Sequence, residues 1–279
     1  MKKGISIWSF PAQSLADNLK LAADAGFDGV ELALDEVGEL SLSTSERELL
    51  SIKRTAEELG LETYSLACAL GFDYPITDDD PAVRAKARDI VKRQLFAAKT
   101  LGCDSILVIP GCVCADFIDP NRIVDYETAY ERSLEAFCEL KADAEAYEVN
   151  IGLENVWNKF LLSPMEMRDF IDKIDSPFVG SYLDIGNTVA YGYPEHWIKT
   201  LGPRIKKVHF KDYRREAGGL CGFVDLLAGD VNYPAVTEAL ASVGYDGWVT
   251  AEMIPNYKYY TEAIIYNTSY SMDKILGRK

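Results

Sequence analysis

The strongest constraint on this chain is a repeat of kind. Short runs of β-branched and aromatic residues alternate with helix-like stretches from one end to the other. Four runs in the second half also break off in the same way. Ile151-Gly152-Leu153 runs into Glu154, Val179 to Leu183 into Asp184, Ile205 to Val208 into His209, and Trp248 to Ala251 into Glu252. Strand and helix in strict alternation imply parallel strands with crossover helices. When such a sheet closes, the carboxyl ends of its strands converge on one face, where active sites lie.

Taken in order, the first strand is Gly4 to Phe10, followed by a helix capped by Ser14 and ended at Gly26. Asp28 to Leu34 is the second strand, and the helix after it stops at Gly60. Leu61 to Leu70 is the third strand, and Pro81 opens a helix that Gly102 ends. Asp104 to Gly111 is the fourth strand, followed by a helix over Tyr126 to Tyr147. Three more helices follow: one after Pro164, a short one around Trp197, and one from Pro234 to Val243. The last helix runs from about Tyr259 to Ile275. The fold expected is an α/β (β/α)₈ TIM barrel, one domain over residues 1–279 with its active site at the C-terminal strand ends. Three long connections, Gly71 to Asp80, Cys112 to Asp125 and Tyr213 to Val231, are expected to cover that face.

At 279 residues the chain is close to the ~250 typical of one such barrel. Its net charge of −15 argues against nucleic-acid binding, which needs a basic footprint. A phosphorylated small molecule in a locally basic pocket stays compatible with that charge. The six cysteines contain no C-x-x-C pair, so free thiols in a reducing cytoplasm are expected. Cys112-Val113-Cys114 is a weak metal pair with no second pair to support it. The N-terminus enters a strand at once, and no apolar run is long enough to span a bilayer. The chain is therefore expected to be cytoplasmic and to have no membrane partner.

Glu154, Asp184, His209 and Glu252 form a hard, oxygen-rich set for a divalent cation. Three carboxylates with one imidazole favour Mn²⁺, then Mg²⁺ or Co²⁺, whereas structural Zn²⁺ sites favour thiolates. The plain alternative pairs one or two of these acids with Lys206, Lys207 or Lys211.

The motifs Leu-Glu-Asn at 153–155, Leu-Asp-Ile-Gly-Asn at 183–187, Val-His-Phe-Lys-Asp at 208–212, Ala-Gly-Asp-Val-Asn-Tyr-Pro at 228–234 and Ala-Glu-Met at 251–253 together carry a resemblance. The chain resembles the xylose-isomerase-like barrels, most closely the ketose and ketose-phosphate 3-epimerases. That resemblance implies a metal-dependent sugar isomerase or epimerase in which the four residues hold the ion. It further implies that Glu154 and Glu252 move the proton. Asn187 stands where the free-ketose enzymes tend to have His, and the segment after Glu154 lacks their second Glu. Asp-Ile-Gly-Asn at 184–187 and His-Phe-Lys-Asp at 209–212 are closer to the sugar-phosphate members.

The chemistry implied is proton abstraction next to a bound carbonyl through an enediolate, with return of the proton on the opposite face. General acid–base help of ~10²–10⁴-fold is insufficient alone for a carbon acid, so metal and base are expected to act together. An alternative within the same superfamily is a keto-inositol or keto-sugar dehydratase or lyase, in which a β-hydroxyl leaves after the same abstraction. Endonuclease IV-like DNA repair would need a His-rich metal cluster, and the chain has two histidines.

Trp8, Trp157, Glu31, Asn187, Lys211 and Arg215 are candidate substrate contacts on a sugar or sugar phosphate. For the tryptophans core packing is the competing reading, for Glu31 a salt bridge, and for Lys211 and Arg215 a solvated loop charge. His196 is expected to cap or pack the short helix. Tyr259, Tyr260, Tyr266 and Tyr270 would suit a homodimer or homotetramer contact, or the barrel wall.

Overall fold

The computed structural model describes residues 1–278. Among these, eight parallel strands close a barrel: β1 (Lys2–Ser6), β2 (Gly29–Ala33), β3 (Glu62–Ala67), β4 (Ser105–Val108), β5 (Asn150–Glu154), β6 (Val179–Asp184), β7 (Ile205–Phe210) and β8 (Trp248–Ala251). Each pairs with its sequence neighbour, and β1 closes against β8. The α/β (β/α)₈ barrel expected from the alternation is thus the fold observed.

Local chemistry explains the helices. Ser45 and Glu48 form a reciprocal capping box before Glu46–Glu58. Pro81 starts Pro81–Leu101 behind an Asp80 cap, and Gly102 ends it at φ 85°, a conformation that costs a residue without Cβ little. Asp125 caps Tyr126–Tyr147 by accepting from the Thr128 N–H.

The strands are shorter than their apolar runs. The first run turns into a 3₁₀ helix, Ile7–Ser9, instead of continuing to Phe10. The runs expected over 61–70 and 104–111 pair only over β3 and β4, because apolar residues past the strand ends line the barrel mouth without a ladder partner. The last helix starts at Ala263 and not near Tyr259. A short helix, Ile185–Val189, follows β6 directly and has no counterpart in the sequence reading. Within Tyr213 to Val231 the chain folds back as a small antiparallel pair, Asp212–Tyr213 with Phe223–Val224.

Two register slips shape the barrel interior. Between β2 and β3, Val30 pairs with Thr63 but Glu31 with Ser65; between β6 and β7, Ser181 pairs with Ile205 but Tyr182 with Lys207. Each inserts one extra residue, Tyr64 or Lys206, and reverses the alternation beyond it. The second slip sets His209 opposite Asp184; without it Val208 would stand there.

Candidate metal and proton-transfer site

The four expected ligands meet. Glu154 is the last residue of β5, Asp184 the last of β6, and His209 lies one residue before the end of β7. Glu252 directly follows β8. One ligand atom from each lies within 4.8 Å of all the others, and all four side chains are buried. His209 Nδ1 is 2.9 Å from Glu252 Oε2, 3.7 Å from Asp184 Oδ2 and 3.8 Å from Glu154 Oε1.

Asp184 Oδ2, His209 Nδ1 and Glu252 Oε2 are buried atoms that form no well-directed hydrogen bond among the described residues; their close polar neighbours are one another and the Lys211 ammonium. Buried polar atoms are nearly always well hydrogen-bonded, so three that are not, all facing one point, fit a shared partner there. Carboxylate oxygens and one imidazole nitrogen form a donor set for a hard or borderline divalent cation, and the residues fit such an ion.

The surroundings hold each ligand in place. Asp184 caps the short helix through the Asn187 N–H at 2.7 Å. Asn155 clamps the backbone of Asp184: its Nδ2 donates to the carbonyl at 2.8 Å and its Oδ1 accepts the N–H at 2.8 Å. Asn187 Nδ2 in turn donates to the Asn155 carbonyl at 3.0 Å. Asn155 was not singled out from the sequence, although it stands next to Glu154 in the quoted motif.

Glu31 faces away from the cavity. It is fully buried behind His209, its Oε1 2.9 Å from His209 Nε2, while Tyr182 and Ser65 donate their hydroxyls to Oε2. The expectation that Glu31 binds a substrate hydroxyl is corrected by this placement; the competing ion-pair reading is the one seen. A carboxylate on the far nitrogen fixes the tautomer and leaves Nδ1 free to ligate.

Lys211 Nζ lies 2.8 Å from Glu252 Oε2 and 3.2 Å from Asp184 Oδ2. Burial disfavours its charge, but Asp184, Glu252 and Glu154 outweigh that and hold the amine protonated. The chain reaches this position because residue 186 is glycine: a Cβ there would stand 2.4 Å from Lys211 Cβ.

The two glutamates titrate apart. Burial first, then the nearby Glu252, push the Glu154 carboxyl up to about 8. Burial would raise Glu252 too, but Lys211 and His209 bring it down to about 2. Burial would lower His209; Glu31, then Glu252, raise it well above its ordinary value. Their surroundings thus push the two carboxyls in opposite directions.

A cavity of about 740 Å³ opens over this cluster. Trp8, Trp157, Asn187, Lys211, Glu154 and Glu252 reach it. Each of the three long connections contributes to its wall: Phe72 from the first, Phe117 from the second, and Leu220, Cys221 and Phe223 from the third. The Trp157 N–H donates to the Asn187 carbonyl at 3.2 Å, which fixes the indole against the cluster.

Arg215 does not reach the cavity, and its expected substrate contact is corrected. Its guanidinium donates to the carbonyls of Val189 and Gly192 at 3.0 and 3.3 Å, closing the end of the short helix. His196 is exposed and lies against Tyr193, with ring centroids 5.3 Å apart and the rings tilted by 50°. All six cysteines are free thiols, four buried and two, Cys138 and Cys221, exposed. Among the described residues no helix is long and apolar enough to cross a membrane.

A family model described as the xylose isomerase-like TIM barrel matches residues 19–267. The chain is 28% identical over 250 residues to a putative L-ribulose-5-phosphate 3-epimerase, SgbU, of Escherichia coli, covering 86% of this chain and 84% of the relative. It is 25% identical over 240 residues to L-ribulose-5-phosphate 3-epimerase UlaE of Escherichia coli, covering 85% and 81%. A crystal structure of D-psicose 3-epimerase with D-tagatose from Clostridium cellulolyticum superposes with a TM-score of 0.82 over 99% of both chains, at 19% identity.

Proposed function

Because the chain belongs to the xylose isomerase-like TIM barrel family, we propose that it is a divalent-metal-dependent epimerase or isomerase of a ketose or ketose phosphate. Its relatives named as L-ribulose-5-phosphate 3-epimerases support that class of reaction. The observation that carries the reading is the cluster itself: four ligand atoms within 4.8 Å of one another, all on buried side chains, beneath a cavity of about 740 Å³.

Glu154, Asp184, His209 and Glu252 would hold the ion, Mn²⁺ suiting the set best. When bound, a divalent ion supplies Lewis-acid stabilisation of the negative charge that develops beside a carbonyl as its neighbouring carbon loses a proton. The chain's own residues supply the rest. Glu154 and Glu252 come from strands separated by β6 and β7, so they approach a molecule in the cavity from different sides. One carboxylate takes the proton from one face and the other, as the acid, returns one to the opposite face, which inverts the carbon. Asp184 and His209 stand between them and position without moving the proton. Lys211 brings a fixed positive charge to the same place, and Trp8 and Trp157 offer aromatic faces to the sugar carbons. Phe72, Phe117 and Phe223 from the long connections wall the same cavity with apolar surface.

The direct experiment is metal analysis of the purified protein, followed by a screen of free and phosphorylated ketoses for inversion at C3. Turnover that requires a bound divalent ion supports the assignment. Loss of a β-hydroxyl instead of inversion would select the dehydratase alternative, which shares the abstraction step.

A further inference from the structure

We infer that the far end of the substrate is uncharged: the site takes free ketoses and discriminates against ketose phosphates. This rests on the epimerase reading above and names its substrate class. A phosphate dianion is held by side-chain cations or by free backbone N–H groups, most readily at a helix N-terminus. Among the described residues, the one cation lining the cavity is already engaged by carboxylates, and no helix of eight residues or more starts in its lining.

Among the described residues lining the 740 Å³ cavity the one cation is Lys211, and Glu252 and Asp184 already engage its Nζ. A dianion placed there would also face Glu154. Away from the carboxylates the wall is Phe72, Ile109, Phe117, Leu220, Phe223 and Ile254. A contiguous cleft of about 460 Å³ shares Phe117, Val156, Trp157 and Leu220 with it. Its lining cation is Lys159, which lies 2.5 Å from the Asp116 carboxylate. The cleft on the other side, about 480 Å³ and sharing Trp8 and Ala69, brings Asp35, Glu39 and Asp73 without a cation.

Two groups of backbone donors near the mouth are taken up by the chain's own acids. The Leu15 N–H, which opens the helix Leu15–Asp24, donates to Glu39 at 2.9 Å. In the glycine-bearing loop after β7, the N–H groups of Tyr213, Leu227, Gly229 and Val231 all converge on the Asp212 carboxylate at 2.8–3.1 Å. Arg215 is bonded to two carbonyls outside the cavity. A phosphate at this mouth would meet aromatic wall and carboxylate, whereas a hydroxymethyl or methyl end meets a surface it can pack on. The sequence motifs lean toward the sugar-phosphate members; the cavity walls point the other way.

The test uses the Mn²⁺-loaded protein and matched pairs, L-ribulose against L-ribulose 5-phosphate and L-xylulose against L-xylulose 5-phosphate. C3 inversion and solvent deuterium uptake are measured for each. The free sugars are expected to give a kcat/KM higher by about 10²-fold or more, the ratio set by leaving a charged group unpaired in a desolvated site. Inorganic phosphate is expected not to compete with the free ketose. A phosphorylated member turned over equally well or better, or competitive inhibition by phosphate, would overturn the inference and leave the epimerase reading standing. Neither inversion nor deuterium uptake with any of the four would overturn the epimerase reading and this inference with it.

Discussion

Replacing Glu31 by Gln tests whether a residue that never reaches the cavity governs the metal site. Glu31 Oε1 lies 2.9 Å from His209 Nε2, with both side chains fully buried, and Oε2 accepts from Tyr182 and Ser65. Glutamine keeps the volume and both contacts: its carbonyl oxygen accepts from His209, and the Tyr182 and Ser65 hydroxyls rotate to accept from its amide. What disappears is the negative charge that makes the imidazole a stronger donor to a cation. Loss of such a carboxylate behind a ligating histidine costs about 10–100-fold in metal affinity, or about 1.4–2.8 kcal/mol. Titration of metal-free wild type and Glu31→Gln with Mn²⁺ by calorimetry, or by competition with a chelator, reads this directly. Glu31→Ala should do more, because it leaves the His209 N–H buried without a partner, while the Tyr182 hydroxyl keeps Ser65. Such an orphan costs roughly 1–3 kcal/mol of fold stability. Mn²⁺ affinity in Glu31→Gln within twofold of wild type, with a normal melting temperature, would refute the argument that Glu31 tunes the site through His209.

Four further outcomes are expected. The purified protein should carry about one divalent ion per chain, and chelation should lower its melting temperature, since a ligand at 100 times its Kd stabilises by about 2.7 kcal/mol; equal melting curves with and without chelator would argue against the site. Glu154→Gln and Glu252→Gln should each abolish inversion while keeping the fold, and one of them should still exchange the substrate proton with D₂O from one face; wild-type epimerisation in either would remove that residue from proton transfer. The folded-state pKa of Glu154, raised to about 8 mainly by burial, means the native metal-free protein binds a proton that the unfolded chain releases near the ordinary 4.5. The stability of the metal-free form should therefore be fullest below about pH 4.5 with respect to this group and fall, by on the order of a few kcal/mol, as pH rises through about 8; a slope equally steep in Glu154→Gln, followed by thermal melts across that window, would assign it elsewhere. Gly186→Ala should displace Lys211, because the new Cβ would stand 2.4 Å from the lysine Cβ, and should cost turnover more than ion content; unchanged kinetics would mean that the lysine position is not critical.

The sequence by itself determined the barrel and which four residues stand at the ends of its strands β5 to β8. Alternating strand and helix signals leave few ways to bury the apolar faces, and a closed parallel sheet brings Glu154, Asp184, His209 and Glu252 to one end whatever the loops do. Helix starts at Ser14 and Pro81 were equally legible, since capping is a local matter of one side chain and the next turn. Facing was decided only in three dimensions. A strand alternates with period two, so one inserted residue reverses it. The slip at Lys206 puts His209 and not Val208 beside Asp184, and the slip at Tyr64 pairs Glu31 with Ser65. The roles of Glu31 and Arg215 were likewise tertiary, because a buried carboxylate's partner 178 residues away, or the carbonyls that receive a guanidinium, follow from packing and not from neighbours in the chain. The cavity wall belongs to the same class. Phe72, Phe117 and Phe223 come from three separate connections, and only the closed barrel brings them to a common face, where their side chains and not the motifs at the strand ends meet the far end of a substrate.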